Sequence, residues 1–412
     1  MSRSFSSSPW VLACVLSSTA ACTSSSGEEE GVGEEESSAS ESGGTEEDSA
    51  TQTETGEEEG HDFSAFDAEM DAFLADTGLE GARAAIIHGE LGILHVQTYG
   101  THELERITLL ASASKVLSAG VLMHLHDEGV LDVDAPVGQY IPEAWGEPRN
   151  PDITLAQMVT NSSGLVGLVD DPTYLPYLCQ YTNPFVLQDC AENIYTADDA
   201  AEVIEPDTVF RYGGGQWQLA GGIAEIVSGK TWDELIAETY REPCGIDRFG
   251  YTNHYQQFFL EQGLDEGLNY PSFVNGALED IPPSENPNIE GGGYSDIETY
   301  AQIMLMHLRG GECDNGRSLS EESVARMQVD RIAEYGGSTG RPDLDGYGMG
   351  WWIERDTPGF YADPGAYGTF PWLDLERGIG VVIMLEDGSD TGALAAGRTR
   401  PIVEAIFDAG PG

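Results

Sequence analysis

The chain has 412 residues, with 18 lysines and arginines against 72 aspartates and glutamates, for a formal net charge of −54 at neutral pH. So strong a negative field excludes nucleic acid and anionic lipid as partners of the folded body. The length suffices for one large domain or two closely joined ones. Only two lysines are present, Lys115 and Lys230. Few lysines among so many carboxylates fits a salty habitat, where screening relieves self-repulsion.

Residues 1–22 read "MSRSFSSSPWVLACVLSSTAAC", with Arg3 as a basic start, a short apolar run from Trp10 to Leu16, and small residues leading to Cys22. This is the pattern of an export signal, and it is too short for a membrane span. "STAAC" before "TSSS" is similar to a bacterial lipoprotein cleavage site with Cys22 as the lipidated residue, although Thr19 stands where leucine is usual. The chain is therefore expected to be exported and held at a bacterial cell envelope by an N-terminal lipid, its only expected membrane contact; the alternative is ordinary secretion with cleavage nearby, leaving it periplasmic or secreted. Residues 23–60 carry fourteen acids, no base and a single branched apolar residue, Val32. Such a segment repels itself and has nothing to bury, so it is expected to be a disordered tether. The foldable body is then 61–412. Four of the six cysteines fall in it: Cys179, Cys190, Cys244 and Cys313. None has C-x-x-C or zinc-finger spacing, and two disulfides fit an exported domain. Cys179 with Cys190 closes the shorter loop, which costs less entropy, and leaves Cys244 with Cys313.

In the body, Phe66, Met70, Phe73 and Leu74 recur at helical spacing within a helix expected over 63–79. "ARAAIIHGELGILHVQTYG" reads as a hairpin turning at His88-Gly89-Glu90. A helix is expected from Ser112, with Leu117, Val121 and Leu125 on one face and Gly129 at its end. "ITLAQMVTNSSGL" reads as a short helix and turn, 170–207 as irregular, 216–227 as a helix, and "SDIETYAQIMLMHLRGG" as a helix capped by Ser295 or Asp296. "GYGMGWWIER" and "GAYGTFPWLDLERGIGVVIMLEDG" read as strand pairs, followed by a final helix broken near Pro401. Late strands joining the early hairpin give an α+β fold: an antiparallel sheet flanked by helices, with an inserted, mainly helical region.

Ser112 and Lys115 form an S-x-x-K spacing at a helix start. Residues three apart share a helix face, so the lysine amine reaches the serine hydroxyl. A sunken lysine loses charge readily and can take the serine proton. Alone the motif is common. Its surroundings carry more. "LLASASKVLSAGVLMHLHDEGVLDVDAPVGQYIPE", "ITLAQMVTNSSGL", "FRYGGGQWQLAGGIAEIVSGKTW", "GGGYSDIETYAQIMLMHLRGG" and "DPGAYGTFPWLDLERGIG" follow one another in order. Together they resemble the serine hydrolases related to class C beta-lactamases, D-alanyl-D-alanine peptidases and their esterase cousins, over about residues 62–409.

The resemblance implies a beta-lactamase/transpeptidase-like fold with Ser112 as nucleophile, Lys115 as base and Tyr212 as proton relay. The N–H groups of Ser112 and Ala366 would form the oxyanion hole. Two positions depart from the family pattern. Gly214 replaces the asparagine of the second motif, and Asp363-Pro364-Gly365 replaces a third motif that usually begins with Lys or His. An aspartate facing the pocket repels a substrate carboxylate, which favours neutral esters or amides over beta-lactams and peptide stems. Gly214, Gln216, Asp363, Gly365 and Tyr367 are the expected substrate-contacting residues, with Trp217 and Tyr294 beside them. The expected activity is hydrolysis of a small ester, amide or peptide through an acyl-enzyme. The alternatives are a beta-lactamase or D,D-peptidase, and a decayed binding module at the envelope. No cofactor, metal or protein partner is implied. Deleting 23–60 should leave turnover of a soluble ester unchanged; a large loss would show that the segment docks on the body.

Overall fold

The computed structural model describes residues 60–410 apart from 147–151, 172, 183–184, 256 and 258–268, so the leader and almost all of the acidic segment lie outside the described residues. The described chain starts with helix α1 (Ser64–Thr77), which buries Phe66, Met70, Phe73 and Leu74. The hairpin follows as β1 (Gly81–His88) and β2 (Gly92–Gly100). Every residue from Ala82 to Ile87 is buried. Side chains alternate across a strand, so Ala82, Ala84 and Ile86 enter one core while Ala85 and Ile87 enter another. A strand buried on both faces reads as a continuous apolar run, as this one does.

Three short strands, β3 (Thr108–Leu109), β4 (Phe249–Tyr251) and β5 (Gly293–Ser295), form a small sheet in the order β3-β5-β4. β6 (Glu312–Cys313) and β7 (Gly316–Arg317) are a separate hairpin. The last five strands, β8 (Gly346–Tyr347), β9 (Trp352–Ile353), β10 (Phe360–Ala362), β11 (Phe370–Asp374) and β12 (Ile379–Met384), complete the main sheet. Its order is β2-β1-β12-β11-β10-β9-β8, antiparallel throughout. The last strand of the chain therefore pairs with the first, setting Ile86 opposite Val381. Helix α1 and the C-terminal helix Ser389–Ala409 cover one face. Helix Ile297–Leu308 covers the other and joins it to the helical region. The α+β fold expected from the sequence is the fold observed.

A buried charge ties the two sheets together. Arg83 on β1 has no exposed surface and donates to the Arg106 carbonyl and to Thr108 Oγ1 on β3. Glu386, just after β12, lies 3.6 Å from Arg83 and accepts two hydrogen bonds from Arg106 at 2.6 and 2.7 Å. Burial pulls the Arg83 guanidinium down to about 10, against the pull of Glu386. Removing one partner would strand a buried charge.

Two local expectations are corrected. The segment 170–207 is not irregular throughout, because it contains the helix Leu187–Tyr195, with Leu187, Cys190, Ala191 and Ile194 buried on one face. That periodicity was present in the sequence, masked by flanking prolines and polar residues. The final helix is not broken at Pro401 but runs through it. Proline at this position removes the hydrogen bond to residue 397 and crowds its carbonyl. Both Gly397 and Pro401 are exposed, so water can take the freed carbonyl. The disulfides pair as expected, Cys179 with Cys190 and Cys244 with Cys313.

Helix Leu187–Tyr195 lies against helix Gly215–Ser228, and a Cβ added at Gly222 would sit 2.3 Å from the Ala191 methyl. Gly222→Leu should lower unfolding stability by about 1–3 kcal/mol through overpacking, read by urea denaturation. An unchanged midpoint would mean that the two helices can separate freely.

Candidate active site

Ser112 lies on a 3-10 turn, Ala111–Ser114, immediately before helix α2 (Lys115–Asp127). The tighter turn matters, because residues i and i+3 of a 3-10 helix eclipse each other. Lys115 is therefore stacked over Ser112. Ala111, just before the serine, has φ of 47°, a left-handed conformation rarely taken by a residue with a side chain. Strain of this kind persists only where its surroundings hold it. Here Ser114 Oγ donates to the Ala111 carbonyl at 2.6 Å and accepts the Gly293 N–H at 2.9 Å. Tyr300 Oη donates to the Ala113 carbonyl at 2.7 Å and Tyr251 Oη to the Ser114 carbonyl at 2.9 Å. Ala111, Ala113, Ser114 and Lys115 are all buried, while Ser112 alone in the turn keeps partial exposure.

Lys115 has no exposed surface. Its Nζ donates to Ser112 Oγ at 3.2 Å and to the Glu290 carbonyl at 3.1 Å, and lies 3.3 Å from Glu290 Oε2. It also sits 4.6 Å from the centre of the Tyr212 ring. Burial pulls the amine down, but Tyr212, Glu290 and Asp363 outweigh it, and the ammonium is held above its usual range. The Tyr212 side chain thus lies beside both Ser112 and Lys115. Burial pushes its hydroxyl up, while Lys115 and Ser112 oppose the rise.

The loop carrying Tyr212 is fixed by side chains of the "TNSSGL" turn. Asn161 Oδ1 accepts the Gly213 N–H at 2.9 Å, Gln216 Nε2 at 3.1 Å and Trp217 Nε1 at 2.9 Å. Gln216 also donates to the Arg211 and Gly213 carbonyls and accepts from Ser163. It is wholly buried, so the expected substrate contact is corrected: Gln216 braces the tyrosine loop. Trp217 is likewise buried. At Gly214 φ is 84°, and an added Cβ would meet the Val166 carbonyl oxygen at 2.6 Å. No asparagine fits there without moving the backbone.

The third segment lies against the nucleophile turn. A Cβ at Gly365 would fall 2.2 Å from the Leu110 carbonyl oxygen, so only glycine permits this approach. Ala366 follows with partial exposure, and among the described residues its N–H donates to no backbone carbonyl. Asp363 departs from expectation. Its side chain has no exposed surface, and Oδ2 accepts the Val116 N–H of α2 at 3.0 Å. The carboxyl thus turns into the protein beneath α2. Burial pushes it well above the usual carboxylate range, opposed by Val116 and Lys115. Tyr367 is corrected in the same way, being buried with its hydroxyl 2.9 Å from His254 Nε2. Tyr294 is only partly buried and pairs through its strand with β3 and β4. The residue that sequence reasoning missed is Glu290, which immediately precedes the "GGGYSD" segment and carries no motif signal.

A profile of the Beta-lactamase family matches residues 66–402. The chain belongs to that family. Penicillin-binding protein 4 of Amycolatopsis lactamdurans is 25% identical over 350 residues, covering 79% of this chain and 84% of that protein. Lovastatin esterase of Penicillium rubens is 27% identical over 161 residues, covering 35% of this chain and 39% of that protein. The solved structure of EstCE1, described as a hydrolase with promiscuous acyltransferase activity, superposes with a TM-score of 0.64 at 17% identity, over 84% of this chain and all of that one. Family membership makes this a beta-lactamase-type hydrolase, with penicillin-binding and esterase proteins among its relatives.

The raised Asp363 proton affinity has a measurable consequence. A group whose folded pKa is raised stabilises the fold fully below its unfolded value, and that contribution is lost as pH rises towards the folded value. Asp363→Asn cannot ionise, so its stability relative to the native chain should improve steadily from about pH 4 upwards. Urea unfolding at pH 4, 6 and 8 reads the difference; parallel curves would show that Asp363 ionises freely.

Proposed function

We propose that this chain is an exported serine hydrolase that cleaves an ester or amide through an acyl-enzyme on Ser112. The observation that carries the reading is the partly exposed Ser112 hydroxyl 3.2 Å from the Lys115 amine, with the Tyr212 ring 4.6 Å from that amine. Ser112 Oγ attacks the substrate carbonyl carbon as its proton passes to the Lys115–Tyr212 pair. The oxyanion takes hydrogen bonds from the N–H groups of Ser112 and Ala366. The tetrahedral adduct collapses, the bond to the leaving oxygen or nitrogen breaks, and Tyr212 returns the proton to it. Water, deprotonated by the same pair, then releases the acid.

The substrate we favour is an ester or amide without a free carboxylate beside the reacting carbonyl. The third motif offers no cation, and Asp363, which stands there, faces inward. This support differs from direct repulsion, because the preference rests on a missing attraction. The likeness to a penicillin-binding protein over most of the chain supports beta-lactams or peptide stems as the second reading. Export is supported by the two disulfides, which persist in oxidising compartments. No helix of the described residues is long and apolar enough to cross a membrane. A lipid on Cys22 would supply the attachment.

Intact mass after incubation with a fluorophosphonate, a short-chain nitrophenyl ester, nitrocefin and a D-Ala-D-Ala peptide tests the reading. The fluorophosphonate and the ester should modify Ser112, and the ester should turn over. Ser112→Ala should lose both, falling by at least about 1,000-fold, with an unchanged melting temperature. Efficient nitrocefin turnover would favour the second reading. A native chain inert to every probe would point to a binding module.

A further inference from the structure

Glu290 is 3% exposed and sits at the centre of the site. Its Oε2 lies 3.3 Å from Lys115 Nζ and accepts the Gly214 N–H at 3.0 Å, while Oε1 accepts from Tyr181 Oη at 3.3 Å. The glycines after Tyr212 leave the space for it, since a Cβ at Gly213 would stand 2.5 Å from Oε2. Gly214, which occupies the second-motif asparagine position, therefore contributes its N–H to this carboxylate. Asparagine there would supply a neutral amide, and this chain supplies an acid from β5's approach loop instead.

We infer that Glu290 is a positioning residue that holds Lys115 as an ammonium and thereby sets the pH at which the Lys115–Tyr212 pair can accept the Ser112 proton. The inference rests on the hydrolase reading and deepens it. The charged and titratable groups facing Lys115 are Tyr212, Glu290 and Asp363, and those around Glu290 also include Tyr181, Tyr255 and Tyr347. Of the two acids, Asp363 has Oδ1 without a hydrogen-bond partner among the described residues and is pushed up by burial. Glu290 has both oxygens met by donors and stands 3.3 Å from the amine, so it is the acid placed to pair with Lys115. A nearby anion makes every proton on the pair harder to remove. Such a pair loses protons in shared steps, and the first loss frees it to act as base. Burial already pushes Tyr212 up, and Glu290 adds to the rise. Activity should therefore climb through the alkaline range, and Glu290 should decide where.

The test is the rate of fluorophosphonate modification of Ser112 against pH, which needs no knowledge of the natural substrate. Glu290→Gln keeps the shape and an acceptor but removes the charge. Its rising limb should move to lower pH by about one unit or more. Glu290→Asp keeps the charge but withdraws it by one methylene, so its limb should move the same way by less. A purely structural role for Glu290 would lower the rate at every pH and leave the limb in place. That result, or a limb moving upwards, overturns the inference while leaving the hydrolase reading intact. If Glu290→Gln does not fold, an unmoved or raised limb in Glu290→Asp overturns it equally. A native chain that is not modified at any pH overturns the hydrolase reading and this inference with it.

Discussion

A lysine ammonium without exposed surface is the constraint on which the site depends. An isolated buried charge costs several kcal/mol or more, so Lys115 must be surrounded by acceptors. The Ser112 hydroxyl, the Glu290 carbonyl and the Glu290 carboxylate meet it within 3.3 Å, and the Tyr212 ring covers it. These partners come from three parts of the chain. The nucleophile turn, the tyrosine loop and the approach to β5 must all be folded before the lysine can be satisfied. The site is therefore as cooperative as the fold itself, and a change at any partner should be felt by the proton inventory of the others.

Close backbone approach is what permits this convergence. Gly365 touches the carbonyl of Leu110, and Gly213 gives way to the Glu290 carboxylate. Hydroxyls of Ser114, Tyr251 and Tyr300 then tie down the backbone around Ser112. These groups contribute little chemistry of their own. They hold Ala111 in a left-handed conformation that would otherwise relax and carry Ser112 away from Lys115. The buried Arg83–Glu386–Arg106 cluster does related work at larger scale, fixing β3 and the small sheet against β1.

The site also explains the two departures from the family pattern. Gly214 and Asp363 read as losses when each position is taken alone. In the structure, Gly214 has a backbone shape that excludes a side chain and an N–H engaged by Glu290. Asp363 accepts from the start of α2 and is buried there. The carboxylate that meets Lys115 comes from Glu290, outside any motif. The third motif holds no cation, so nothing at that position attracts a free carboxylate.

The sequence by itself determined the fold class, because strand and helix periodicity and the order of the motif segments are local properties of the chain. It also determined the disulfide pairing, where loop length ranked the possibilities, and the spacing that joins Ser112 to Lys115. It missed the helix Leu187–Tyr195 and misjudged Pro401, since packing against helix Gly215–Ser228 and exposure to water decided those. Only the tertiary structure decided which side chains reach the cleft. Asp363 stands at a motif position and Gln216 and Tyr367 just beyond one, yet all three are buried, and Glu290 lies 175 residues beyond Lys115 yet bonds to it. Side-chain direction in a loop follows from what packs behind it, and no spacing in a linear sequence encodes that.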